Sequence, residues 1–182
     1  MPREHLEWLQ RIKAVERESS GARFAMSRTL KQVQDDPSIL EGDVRPRDIR
    51  DADTRLEGTY MIRLFAEFET GLRLFWSHKN NTNPRTRDLL EGIVARCGIP
   101  RDDADNVHAV REFRNALVHE REDEADEVPI AEARHYLCQF FGFLWKDWSV
   151  HSAVGRSHCG LRFTKATKLR SAMPTGWNSL AA

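Results

Sequence analysis

Cysteine is scarce and unpatterned. Cys97, Cys138 and Cys159 stand singly, with no CxxC pair and no even framework. That argues against a disulfide-stapled secreted scaffold and suits a reducing compartment. Long apolar runs are missing too. No stretch approaches the ~18 residues that a membrane-spanning helix needs, and the opening MPREHLEWLQ has no apolar core for a signal peptide. A cytoplasmic protein without a membrane partner is expected. Net charge is also absent, with 28 basic against 28 acidic residues, so no global field draws the chain to nucleic acid. No segment alternates in the manner of a strand, and there is neither an internal repeat nor a low-complexity tract. Residues 151–182 lack acids altogether. They carry Arg156, Arg162, Lys165, Lys168 and Arg170, a local +5 that leaves −5 on residues 1–150.

What the chain does have is apolar bulk at helical spacing. Its 182 residues are 40% hydrophobic and include nine Phe and five Trp, enough for one packed domain. Residues 4–34 read as helix, with Leu6, Leu9, Ile12 and Val15 on one face and a kink or break expected at Ser19-Ser20-Gly21. Residues 47–78 give the clearest helix, striped by Leu56, Met61, Leu64, Phe65, Phe68, Leu72, Phe75 and Trp76. Pro84 suits the first turn of a short helix that Gly98 ends. A fourth helix, capped by Asp102 or Asp103, runs to about Glu120. An acidic loop follows. Pro129 then opens a last helix whose aromatic stripe, from Tyr136 to Trp145 and Trp148, is expected in the core. The fold class is therefore all-α: an antiparallel bundle of about five helices over residues 1–150, then a basic C-terminal extension over 151–182.

The fourth helix carries an anomaly. At ~100° per residue, Arg114 falls within the apolar arc of Phe113, Leu117, Val110, Val107 and Val118. An ionised group on a core-facing stripe costs several kcal/mol unless it is paired or opens onto a polar site. Arg111, Asn115, His108 and His119 flank that arc. Either Arg114 pairs with Glu67 or Glu69 beside the second helix, or the helix carries a site. His119 alone would read as a helix-end histidine meeting the last carbonyls. His108 and Arg111 are expected to be mostly solvated.

The run Arg114-Asn115-Ala116-Leu117-Val118-His119 resembles the Arg-polar-x-x-x-His motif of the HEPN superfamily of small helical proteins, many of them metal-independent ribonucleases. The stretch Leu56 to Trp76 resembles that fold's long second helix, and helix order agrees from about residue 50 to 150. The bare motif is weak in a chain with 22 Arg and 7 His. Arg73 with His78 and Arg101 with His108 have similar spacing. Only Arg114 combines mid-helix position, an adjacent Asn and the right place in the helix order.

The resemblance implies an endoribonuclease, toxin or defence component that forms a homodimer, needs no cofactor or metal, and is neutralised by an antitoxin or other inhibitor. Arg114 would bind the scissile phosphate, since Arg stays charged and offers forked donors matched to phosphate oxygens. His119 would serve as acid or base near neutral pH. Asn115, four residues before His119 on the same face, would orient it. Arg111 and His108 are candidate RNA contacts. Some family toxins carry a Tyr two residues after the motif His, where AMP is added to silence them. Arg121 stands there instead, so that silencing is not expected. His151, His158 and Cys159 fit no zinc spacing. The basic extension is a further candidate for phosphate backbone. The acidic loop is expected to be solvated. The competing expectation is a non-catalytic module of the same fold that binds RNA, nucleotide or a protein partner.

Overall fold

A computed structural model describes residues 5–119, 125–146 and 148 of the chain. Among them the chain forms five α-helices: α1 His5–Asp35, α2 Pro46–Ser77, α3 Thr86–Cys97, α4 Arg101–Val118 and α5 Ile130–Phe143. A short 3₁₀ turn, Pro37–Ile39, joins α1 to α2, with the Asp36 carboxylate accepting from the Ser38 N–H at 3.0 Å. No strand occurs among the described residues.

α1 and α2 form a long antiparallel pair. Arg11 meets Glu67 at 2.9 Å, Glu18 meets Arg63, and Arg23 meets Glu57, so one index climbs as the other falls. Exposed ion pairs of this kind add only about 0–1 kcal/mol each. Burial beneath them dominates. Trp8, Phe65, Phe68, Phe75, Phe140 and Phe141 are all at or below 1% exposure, and each such side chain contributes roughly 1.5–3 kcal/mol. α5 lies antiparallel to α1, tied by Arg134 to Glu16 at 2.9 Å and by His5 to Phe141. It also lies antiparallel to α4, where Gln139 donates to Asp103 at 2.7 Å. Gly71 lets the α5 ring of Phe141 approach α2, since a Cβ there would stand 2.9 Å from two of its carbons.

Four details differ from the sequence reading. α1 runs unbroken through Ser19-Ser20-Gly21. Ser19 is small and buried, Ser20 bonds back to the Glu16 carbonyl at 3.1 Å, and Gly21 faces open space. The inward face of α1 is His5, Trp8, Ile12, Val15 and Ser19, whereas Leu6 is 55% exposed. α4 begins two or three residues early, with Pro100 in the cap position, so neither Asp102 nor Asp103 caps it. Both sit in the first turn, where carboxylates suit the helix dipole. Trp145 is exposed, while Leu137, Phe140, Phe141, Leu144 and Trp148 are buried as expected. Gly98 ends α3 at φ +63°, a backbone state that glycine adopts without strain. The acidic stretch 120–124 and the basic extension 151–182 lie outside the described residues.

Candidate functional site

α4 presents one face to the core and one edge to a cleft. Ala104, Val107, Val110, Phe113 and Ala116 are buried, at the helical spacing that places them along one stripe. Arg111 and Arg114 project beside that stripe toward α3. Arg114 is half-buried, its guanidinium carbon 5.8 Å from the centre of the Phe65 ring of α2. One terminal nitrogen donates to the Asn115 side-chain oxygen at 2.9 Å. Its Nε is buried without a hydrogen-bond partner among the described residues. The carboxylates weighed as partners are engaged elsewhere. Glu67 pairs with Arg11, and Glu69 pairs with Arg73 at 2.6 Å. Arg114 has no carboxylate partner among the described residues.

The two arginines with competing spacing behave differently. Arg73 donates to Glu69, to Asn83 at 2.8 Å and to the Pro84 carbonyl at 3.1 Å, fastening the α2–α3 connection. Arg101 bridges Asp105 at 3.0 Å and Glu91 at 3.8 Å on the surface. Both are paired with carboxylates. Arg114 instead borders a cleft of about 330 Å³.

Arg111 and Asn115 share that wall of the cleft, and Phe65 lies at its base. The opposite wall is the beginning of α3: Arg85, Thr86, Arg87 and Asp88. Four guanidinium groups face one carboxylate, for a net +3. Thr86 is committed, donating to Glu69 at 2.8 Å. The Arg111 side chain is only 14% exposed. It pairs with Glu112 at 2.9 Å, and its Nε is buried without a partner among the described residues. The expectation that Arg111 is solvated is therefore overturned: its stem packs into the α3–α4 junction.

His108 corrects the same expectation. Its side chain is also 14% exposed, with Nε2 3.1 Å from a Glu91 carboxylate oxygen, and it ties α4 to α3 without lining the cleft. His119 closes α4 as its C-cap residue. Its backbone N–H bonds the Asn115 carbonyl at 3.0 Å, and its exposed side chain does not line the cleft. Asn115 thus gives its side-chain oxygen to Arg114 rather than to His119. The motif is split within one chain, with Arg114 and Asn115 at the cleft and His119 at the helix tip. Among the described residues no three His, Cys, Asp or Glu side chains gather as a metal site, and no helix is long and apolar enough to cross a membrane.

The α3 half of the cleft went unread in the sequence, although a signal was there. Arg85 and Arg87 sit at the cap and in the first turn of a helix, where the dipole disfavours cations by about 0.3–1 kcal/mol each. A local rule broken at a helix start marks a functional or compensated position.

No family model matches the chain, no curated protein resembles it significantly, and no solved structure does.

Proposed function

We propose that the protein is a metal-independent endoribonuclease of HEPN type, acting as a homodimer and held in check in the cytoplasm by an antitoxin or inhibitor partner. One observation carries this reading: alone among the three similarly spaced arginines, Arg114 has no carboxylate partner among the described residues and borders a cationic cleft. An arginine placed this way has forked donors to offer a phosphate. Phe65 beneath it and Asn115 beside it fix its direction.

The chemistry follows from the residue types. An imidazole removes the proton of a ribose 2′-hydroxyl. The 2′-oxygen attacks the adjacent phosphorus, and the bond from phosphorus to the 5′-oxygen breaks as a second imidazole protonates that oxygen. The products are a 2′,3′-cyclic phosphate and a 5′-hydroxyl. Arg114 stabilises the negative charge that develops on the phosphoryl oxygens. One chain supplies one motif histidine, at an exposed helix tip, so a two-fold partner supplies the second. Asn115 acts through Arg114, which it contacts, rather than by orienting His119.

The position of His119 outside the cleft favours a second reading, a non-catalytic module that holds phosphate. Labelled single-stranded RNA incubated with the protein in EDTA separates the two. Fragments ending in cyclic phosphate, lost in both Arg114→Ala and His119→Ala, support the nuclease. Acid–base groups supply about 10²–10⁴ in rate, so residual cleavage below one hundredth is expected in His119→Ala. Binding without fragments leaves the phosphate-holding module.

A further inference from the structure

We propose that the beginning of α3, through Arg85 and Arg87 facing Arg111 and Arg114 across the cleft, forms a second phosphate subsite beside the one at Arg114. It deepens the nucleic-acid reading above without depending on cleavage. The two exposed arginines have no carboxylate partner among the described residues. They stand at a helix start that no side chain caps, so the first amides of α3 add donors on the same side. The opposite wall brings the guanidinium groups of Arg111 and Arg114. Cations placed where the helix dipole repels them, around a cavity of about 330 Å³, are reconciled by an anion between them. Arginines on both walls suit one phosphate group each, so the ligand this subsite takes is two successive phosphates of a single strand. The α3 phosphate is either an internal phosphodiester or a terminal phosphomonoester, both of which present the same oxygens to a guanidinium.

Binding is read by anisotropy on a labelled single-stranded oligonucleotide with 2′-deoxyriboses, which cannot be cleaved through a 2′-hydroxyl. Arg85→Gln with Arg87→Gln weakens affinity about tenfold or more. The slope of log affinity against log salt falls by about 0.7–1.4, the value of one or two phosphate contacts. The double variant Arg17→Gln with Arg28→Gln removes the same charge from exposed positions on α1 and changes neither quantity. Comparing 5′-phosphate with 5′-hydroxyl strands identifies the source: tighter binding of the former indicates a strand end, and equal binding an internal linkage. On cleavable RNA the α3 variant raises KM while kcat holds. Equal losses in the α3 and α1 variants, or no loss in either, overturn the subsite whatever the cleavage assay shows. If the α3 variant alone loses affinity while the wild type produces no fragments, the subsite stands and the nuclease reading falls.

Discussion

Replacing Arg114 by Met tests whether this arginine serves the fold or the site. Met keeps the unbranched apolar stem and removes the guanidinium with its charge. In the native state the guanidinium makes a charge-assisted hydrogen bond to the Asn115 oxygen, worth about 1.5–3 kcal/mol net. Its approach to the Phe65 ring adds about 0.5–1 kcal/mol. Against these stands a buried Nε without a partner, at about 1–3 kcal/mol. The opposing contributions, about 2–4 against about 1–3 kcal/mol, nearly cancel, so Arg114→Met is expected to lie within about 1 kcal/mol of wild type, on the destabilising side. For a chain of this size that is a Tm shift of about 2–4 °C. Urea unfolding followed by circular dichroism measures it, and RNA cleavage or binding on the same preparation should be lost. A structural ion pair behaves differently: removing one buried partner costs about 3–5 kcal/mol. A loss of that size would show that Arg114 is held by a carboxylate after all and would refute its assignment to a phosphate site.

Two further perturbations test the bundle. Gly71→Ala should destabilise by about 1–2 kcal/mol, because the new methyl meets the Phe141 ring at 2.9 Å and Trp8 at 3.1 Å, which outweighs the gain in helix propensity. Gly21→Ala, whose methyl meets nothing, should stabilise by about 0.5–1 kcal/mol; equal urea midpoints for the two variants would contradict the close α2–α5 approach. His5 is buried, donating from Nε2 to the Phe141 carbonyl at 2.6 Å, and burial holds its pKa below the ordinary 6.5 against the opposing pull of that bond. The unfolded chain then binds the proton first as pH falls. The stability His5 contributes is full above pH 6.5 and is lost between 6.5 and its lower folded value. Urea midpoints for wild type and His5→Phe should therefore converge or cross as pH drops from 8 to 5, and parallel curves would reject the assignment.

Helix number, order and type were legible in the chain because apolar residues recur at helical spacing and Pro and Gly punctuate the connections. α2 and α3 end within a residue or two of their sequence-read limits. The register of α1 was not legible. Its inward face begins with a histidine and a tryptophan, and the aliphatic Leu6 was the misleading choice. Exposure of Trp145 was hidden for a related reason: helix α5 ends at Phe143, so the wheel no longer applies to the residue beyond it.

The sequence by itself determined that Arg114 stands on an apolar helical arc with Asn115 beside it and His119 one turn on, since periodicity is local and fixes which side chains share a face. Only the tertiary structure decided what that arc meets. It spent Glu67 on Arg11, packed His108 against Glu91, and brought Arg85 and Arg87 to the opposite wall of the Arg114 cleft. Residues seventeen or more positions apart become neighbours through helix packing, which depends on the shapes of whole helices and leaves no mark in the spacing of any one of them.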